Sequence, residues 1–292
     1  MTEKLLVLDG TNLLYRSFHA LAGSGLSHAG RPVWAVHGLL LQIAKAVEFS
    51  SPTHLVVAFD TPGGCPTRRE IDPGYKATRK SPAEELTSQL TWAPMVLRQL
   101  GMLVSEVPGW EADDIIASYV TAAEHRGIDS LIVTSDRDAY QLLSAKVSLR
   151  TPDEKFIDLA SLRQGHGVDP AGYALLAALR GEPSDNLPGI TGVGPKTALK
   201  IVENFASLDE LESADDARLG ALVGPKTLAA IRRDLHLARR TFEVARLRRD
   251  LPTDLDAARL SSLDPTRVAP LLEELGLPAA GRRLATVLRS VF

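Results

Sequence analysis

Seven acidic residues of this sequence stand where buried strands are expected to end or a helix is expected to begin. Three short apolar, β-branched-rich segments are each followed by aspartate, and a fourth acidic group opens the helix after a further strand. The seven are Asp9, Asp60, Glu111, Asp113, Asp114, Asp136 and Asp138. Because the carboxyl ends of parallel strands share one crevice, we expect these carboxylates to converge there.

Each acid alone has an ordinary structural explanation, whereas the set does not. An aspartate after a strand is commonly a turn residue or a helix cap, and the first turn of a helix favours acids. Seven carboxylates in one crevice repel one another, so positive charge must hold them together. Among the basic residues only Arg137 is interleaved with them. We therefore expect bound cations at this crevice.

The donor atoms indicate which cations these are. Oxygen ligands favour Mg²⁺ or Mn²⁺ over zinc, and the single cysteine, Cys65, excludes a multi-cysteine zinc site. Because Mg²⁺ keeps several of its waters, seven acids exceed the needs of one ion, and we expect two or more ions. A pair of metals is typical of enzymes that cleave phosphodiester bonds with an activated water. The residues themselves thus predict a metal-dependent phosphoryl hydrolase.

Strands and helices alternate through residues 1–165, which positions these acids. Segments typical of buried strands are Lys4–Leu8, His54–Phe59, Gly101–Glu106, Ser130–Thr134 and, more weakly, Lys146–Arg150. Helical stretches are expected at Trp34–Phe49, Pro82–Leu100 and Asp113–Arg126. This alternation predicts an α/β fold with a mostly parallel sheet flanked by helices.

The remainder of the chain is expected to be helical. Helices are predicted at Tyr173–Leu179, Pro195–Asn204, Lys226–Leu247 and Val268–Leu275, and arginine is frequent there. We therefore divide the chain into an α/β nuclease domain, 1–165, and a helical region, 166–292, expected to bind DNA.

Composition excludes several classes of protein. The chain has 292 residues, of which 45% are hydrophobic and 24% charged, so it is neither disordered nor fibrous. We expect no signal peptide, and no apolar run approaches the ~18 residues of a membrane span. We expect a monomer in the cytoplasm. The net charge of −3 does not exclude a nucleic-acid partner, because binding depends on where the charges lie.

Several motifs, taken in order, resemble those of one family. They are Leu8-Asp9-Gly10, Tyr15-Arg16, Phe18-His19, Phe59-Asp60, Arg68 with Tyr75-Lys76-Ala77-Thr78-Arg79, Gly109-Trp110-Glu111-Ala112-Asp113-Asp114, Thr134-Ser135-Asp136-Arg137-Asp138, Gly181-Glu182-Pro183-Ser184-Asp185-Asn186-Leu187-Pro188-Gly189 and Gly192-Val193-Gly194-Pro195-Lys196-Thr197. From Leu5 to about Arg249 the chain resembles the flap endonuclease / 5′→3′ exonuclease family, including the 5′-nuclease domain at the front of bacterial DNA polymerase I. The resemblance implies a Rossmann-like (PIN-like) sheet followed by a helix–three-turn–helix.

The resemblance also implies a distribution of the metal ligands. The first ion would be held by Asp9, Asp60, Glu111 and Asp113, and the second by Asp113, Asp136, Asp138 and Asp185, with Asp114 in support. The family usually has two aspartates in the last loop, where this chain has Glu182 and Asp185. A glutamate there can ligate through water or weaken the second site, so the number of protein-bound metals stays open.

The polar stretch after Asp60 is rich in basic residues: Arg68, Arg69, Lys76, Arg79 and Lys80. It is a solvated loop or a phosphate-positioning element beside the acids, and cations facing a metal cluster favour the second interpretation. The resemblance makes residues of about 62–100 the arch over the 5′ strand. We assign Lys76 and Arg79 as catalytic and Arg16, Arg68 and Tyr75 as DNA contacts, with Tyr75 offering a stacking face to an unpaired base.

Two glycines, Gly192 and Gly194, precede a predicted helix start at Pro195-Lys196. Free backbone N–H groups at a helix N-terminus bind phosphate, although the same pattern also suits an ordinary helix–turn–helix corner. The resemblance favours a helix–three-turn–helix at about 173–205 with DNA contacts at Gly192, Gly194 and Lys196. It also implies a K⁺ ion on the backbone carbonyls of Leu179, Arg180, Pro188, Ile190 and Val193.

The sequence therefore predicts a structure-dependent 5′-nuclease, a 5′→3′ exonuclease or 5′-flap endonuclease, acting in DNA replication and repair. Its partner would be branched or nicked DNA with a 5′ single-stranded end, with no membrane involved. Two alternatives remain: a catalytically weakened, structure-specific DNA-binding protein, which Glu182 favours, and a PIN-type ribonuclease.

Overall fold

Five of the eight strands in the described residues occur where the apolar segments predicted them. The computed structural model describes residues 3–291, and its strands are β1 (Lys4–Asp9), β2 (Ser27–His28), β3 (Arg31–Pro32), β4 (His54–Ala58), β5 (Leu103–Ser105), β6 (Asp129–Val133), β7 (Val147–Arg150) and β8 (Phe156–Ile157). Of these, β2, β3 and β8 were not predicted. β2 and β3 form a short hairpin, and the others form one sheet in the order β5-β4-β1-β6-β7-β8. Its pairs are parallel apart from β7–β8.

Helices connect and cover these strands. Those of the described range are α1 (Gly10–Leu21), α2 (Trp34–Ser50), α3 (Pro66–Ile71), α4 (Glu84–Gln99), α5 (Ala112–His125), α6 (Leu159–His166), α7 (Pro170–Arg180), α8 (Pro195–Asn204), α9 (Leu208–Ser213), α10 (Asp216–Val223), α11 (Pro225–Ala245), α12 (Pro265–Glu274) and α13 (Pro278–Val291). Short 3₁₀ turns lie between some of them, including one at 137–142 that Asp136 caps and that contains Asp138.

Both faces of the central strand β1 are buried, which explains its continuous apolar run. Leu5 and Val7 pack on one side in the cluster that contains Ile116 of α5. Leu6 and Leu8 pack on the other side in the cluster that contains Leu39 of α2. The sheet is thus held between two helical layers, and its strand ends cannot shift independently of them.

The helices after residue 166 are divided between these two layers. α7, α8 and α11 contribute to the α5 side of the core. The last two helices, α12 and α13, instead pack on the α2 side, where Leu272, Leu284 and Leu288 are fully buried. The segment 166–292, which we treated as one helical region, therefore includes a final pair of helices that belongs to the sheet's own core.

The α/β class predicted from the sequence is confirmed. The predicted strands end within two residues of the observed ones, and the helices predicted before residue 165 do so as well. The observed helices α1, α3, α6, α9, α10 and α13 were not predicted. Within residues 3–291, no helix combines the length and the apolar character needed to cross a membrane.

Candidate active site

The carboxyl ends of the parallel strands carry aspartates, as the sequence pattern predicted. Asp9 ends β1, where it caps α1 by accepting the Asn12 N–H at 3.0 Å and also accepts the Thr134 hydroxyl at 2.8 Å. Asp60 follows β4 and accepts the Ala112 N–H at the start of α5 at 2.7 Å. The Asp9 bonds thus link the end of β1 to α1 and to the end of β6, and the Asp60 bond links the end of β4 to the start of α5.

Burial and mutual repulsion make these two carboxylates hard to ionise. Burial, with the charge of Asp60, raises the pKa of Asp9 to about 8. Burial, with the charges of Glu111 and Asp113, raises the pKa of Asp60 to about 6. Because the surrounding side chains do not balance negative charge on this side of the crevice, Asp9 favours its protonated form at neutral pH when no cation is bound.

The acids of α5 are compensated, because Arg68 of α3 lies among them. Its guanidinium contacts Glu111, lies 3.0 Å from a carboxylate oxygen of Asp113, and donates to Asp114 at 3.1 Å. Only 5% of Arg68 is exposed, so its placement differs from the DNA contact we predicted. A sequence scan misses this ion cluster because more than 40 residues separate Arg68 from its partners.

Glu111 receives two further donors from the same segment. The Tyr75 hydroxyl donates at 2.6 Å and the Lys76 ammonium at 2.7 Å. Burial acts to raise the pKa of Glu111, but the charges of Arg68 and Lys76 outweigh it and lower the pKa to about 2. Tyr75 is only 4% exposed, so its ring is covered while its hydroxyl binds Glu111, and the stacking role stays a prediction that needs the ring to be uncovered.

The loop after α7 reaches the same crevice. Asp185 accepts from Arg79 at 2.5 Å, and its backbone carbonyl accepts the Lys76 N–H at 2.9 Å. Glu182 instead pairs with Arg180 at 2.6 Å. Asp138 lies between these groups, and burial together with the charge of Asp136 raises its pKa. The structure thus brings every acid predicted as a metal ligand into one electrostatically coupled group.

Asp114 differs from the other acids because its side chain is wholly buried. One oxygen accepts from Arg68 and from the Arg248 N–H at 2.9 Å, while the other has no hydrogen-bond partner among the residues that the structure describes. The Arg248 guanidinium lies over the Trp110 ring, 5.2 Å from its centroid. The sequence carried no signal for this contact, since 134 residues separate the two partners.

The donor set suits a hard divalent ion, although the side chains are not arranged around one. Throughout residues 3–291, no three His, Cys, Asp or Glu side chains form a cluster that could hold a metal as they stand. Arg68, Lys76 and Arg79 occupy carboxylate oxygens instead. The oxygen-only donors, the unbalanced Asp9 and Asp60, and the unpartnered Asp114 oxygen nevertheless fit Mg²⁺ or Mn²⁺.

A second predicted contact surface lies at the start of α8. Gly192 has a φ of +77°, and Gly194 caps the helix with open space around it: a Cβ there would meet no atom within 4 Å. Lys196 is exposed beside them, and Arg16 is exposed on α1. This turn is accessible to a backbone phosphate, and its contact with DNA stays a prediction.

Three of the five carbonyls proposed for K⁺ already have protein partners. Leu179 accepts the Ile190 N–H at 2.9 Å, Ile190 accepts the Val193 N–H at 3.0 Å, and Pro188 accepts the Thr241 hydroxyl at 2.7 Å. Because a carbonyl oxygen has a second lone pair, these bonds leave room for a cation, and the K⁺ site stays a prediction.

The chain is similar throughout most of its length to one family. Residues 4–167 match the family model "5′-3′ exonuclease, N-terminal resolvase-like domain", and residues 168–267 match "5′-3′ exonuclease, C-terminal SAM fold". It is 38% identical to the thermostable DNA polymerase I of Thermus aquaticus over 272 residues, 93% of this chain and 32% of that protein. It is 37% identical to DNA polymerase I of Mycobacterium bovis over 279 residues, 93% of this chain and 30% of that protein. The chain thus spans about a third of the length of the curated relatives it matches.

Solved structures share the fold. The bacteriophage T5 D15 protein co-crystallised with metal ions superposes with a TM-score of 0.69 at 20% identity, covering 99% of this chain and 100% of that one. The catalytic core of Rad2 in complex with DNA substrate gives a TM-score of 0.59 at 16% identity, covering 100% and 93% of the two chains.

Proposed function

The chain belongs to the 5′-3′ exonuclease family, and from that membership we propose that it is a structure-dependent 5′-nuclease that hydrolyses phosphodiester bonds in DNA. Its substrate would be branched or nicked DNA with a 5′ single-stranded end, met in the cytoplasm during replication and repair. The observation that carries the proposal is the acidic crevice at the carboxyl ends of β1, β4 and β6, with Lys76 and Arg79 at its edge.

Mg²⁺ or Mn²⁺ would be held by the coupled carboxylates described above. Asp9, Asp60, Glu111 and Asp113 would form the first site, and Asp113, Asp136, Asp138 and Asp185 the second, with Asp114 in support. When bound, two such ions supply Lewis acidity that activates water and stabilises the leaving oxygen. The protein's own part is to fix the acids on rigid strand ends, where Asp9 and Asp60 are already hydrogen-bonded to neighbouring backbone.

Lys76 and Arg79 would position the scissile phosphate. Each is now paired with one carboxylate, Lys76 with Glu111 and Arg79 with Asp185. Both contacts lie at the crevice, so a phosphate entering there could take over the same donors. Their positive charge would then stabilise the charge that develops on the phosphate oxygens during cleavage.

The turn at 192–197 would bind the duplex part of the substrate, at a distance from the bond that is cleaved. Its exposed backbone and the N-terminus of α8 provide donors suited to a phosphate, with Lys196 adding one charge. K⁺ on the nearby carbonyls would make this grip stronger.

A weakened DNA-binding protein is the second candidate, and one observation favours it. Glu182 is engaged by Arg180 and so is not offered to a metal in this conformation. The other carboxylates remain in the crevice, which favours the nuclease.

The test is cleavage of a 5′-flap duplex labelled at its 5′ end, with Mg²⁺ or Mn²⁺, with EDTA, and with an RNA flap as control. A nuclease releases the labelled flap only with metal. Binding without release in either metal would support the DNA-binding module, and preference for the RNA strand would support the ribonuclease.

A further inference from the structure

Arg68 was expected at the DNA interface, but its surroundings assign it another role. We propose that Arg68 is a positioning residue, whose buried guanidinium holds Glu111, Asp113 and Asp114 in the arrangement that the cleavage reaction requires. The inference rests on the proposed nuclease function and names a residue that acts through the acids, without touching substrate.

The first argument is access. The Arg68 side chain is 6% exposed, and its two terminal nitrogens contact three carboxylates. A phosphate would have to displace those carboxylates to reach the guanidinium. Arg69, the next residue, is exposed and donates only to the Gly63 carbonyl at 3.0 Å. The two neighbouring arginines therefore have opposite surroundings.

The second argument is that the Arg68 guanidinium links parts of the chain that are far apart in sequence. Arg68 lies on α3, in the early part of the segment 62–100 that is predicted to form the arch, while its carboxylate partners open α5. Asp114 also accepts the Arg248 N–H beyond α11. One planar, multidentate cation thus fixes the acids relative to the arch base and the helical half, a geometry that a lysine ammonium cannot reproduce.

The third argument is charge. Without Arg68, three carboxylates at the start of one helix would repel one another, with only Lys76 left to compensate Glu111. Glu111 and Asp113 could then turn away from the crevice, while Asp114, which is wholly buried, could not reach water. Loss of Arg68 should therefore affect both the alignment of the acids and the stability of the fold, and these two effects are separable.

The experiment compares Arg68→Met with Arg69→Met, which removes the same charge from the adjacent exposed position. We expect Arg68→Met to slow single-turnover cleavage of the flap duplex at saturating Mg²⁺ by at least about tenfold, the scale of a misaligned reacting group. The slope of log affinity for duplex DNA against log salt, measured in Ca²⁺, should stay unchanged. A slope lowered by ~0.9 for Arg68→Met would overturn the proposal, because that is the loss of one phosphate contact.

A double variant separates positioning from folding. Arg68→Met/Asp114→Asn removes the orphaned buried charge and should recover most of the melting temperature lost in Arg68→Met, while cleavage stays well below that of Asp114→Asn alone. Recovery of the rate together with the melting temperature would overturn the proposal, since Arg68 would then only stabilise the fold. Failure of both variants to fold would also overturn it, unless Arg68→Lys folds with its rate reduced and its salt slope intact.

The wild-type chain is measured first with the same duplex. If it does not cleave, the proposed nuclease function fails, and the salt slope still tests Arg68. If it cleaves and Arg68→Met cleaves equally fast, only the present inference fails.

Discussion

The acidic crevice, where we propose cleavage, and the glycine turn at 192–197, where we propose duplex binding, are built in opposite ways. The crevice is crowded and buried, and its side chains come from strands and helices far apart in the chain. The turn is open and local, and what it offers is mostly backbone. Chemistry at a phosphate needs charged groups fixed in place before the substrate arrives, whereas holding a duplex needs only exposed donors at a helix start.

The largest effect is expected when an acid is removed from the crevice. Asp113→Ala or Asp136→Ala should lower flap cleavage by about 1,000-fold or more, because a lost ligand weakens several kcal/mol of charge stabilisation. DNA affinity should stay equal or improve, since repulsion against phosphate falls. Single-turnover cleavage and binding in Ca²⁺ measure the two quantities. Asp129→Ala, at the opposite end of β6, is the control; near-native turnover of either crevice variant at saturating Mg²⁺ contradicts the assignment.

A smaller effect is expected at the edge of the crevice. Lys76→Ala and Arg79→Ala should each slow the chemical step by about 10–100-fold and weaken binding less, because their contacts strengthen as charge develops on the phosphate. Pre-steady-state rates and Ca²⁺ binding separate the two steps, with exposed Lys80→Ala as control. A loss confined to affinity would make these cations general contacts, like those of the glycine turn.

The acids of the crevice should also make the stability of the fold depend on pH, whereas the turn should not. The folded-state pKa of Asp9 is about 8 and that of Asp60 about 6, both above the usual 3.8, chiefly because of burial. Between about pH 4 and 8 the folded chain therefore holds protons that the unfolded chain has released, and stability falls as pH rises through this window. In EDTA the melting temperature should drop by several degrees from about pH 6 to 8, and Mg²⁺ should reduce the drop. Asp9→Asn should flatten the EDTA curve; an unchanged curve would contradict the crowding of the acids.

The smallest effect concerns the turn itself. Gly194→Val should lower duplex affinity by about tenfold with little change in salt slope, because a Cβ blocks backbone approach to phosphate without removing charge. The fold should tolerate it, since φ at Gly194 is −87° and the space is open. Lys196→Ala should weaken binding less but lower the salt slope by ~0.9. Filter binding across salt concentrations in Ca²⁺ distinguishes them, and negligible effects of both would place the duplex elsewhere on the helical half.

The residue pattern alone determined the sheet and the positions of the acids. Runs such as 5–8 and 55–59 are apolar on both sides because their strands are covered on both faces, and that property is visible residue by residue. The aspartate after each run then shares an edge of the sheet with the others for any parallel arrangement, so the crevice followed from the pattern without knowledge of the strand order. The order of the motifs also identified the family correctly.

Only the tertiary structure decided which cation meets which acid. Arg68 and Arg69 are neighbours of the same type, and nothing local tells that one is buried against Glu111 while the other faces solvent. The same holds for Tyr75, whose hydroxyl is bound within the crevice, and for α13, whose apolar stripe packs on α2. An apolar stripe or a charge indicates that a partner is needed. Which residue becomes that partner depends on contacts between residues tens to hundreds of positions apart, and only the tertiary structure determines those contacts.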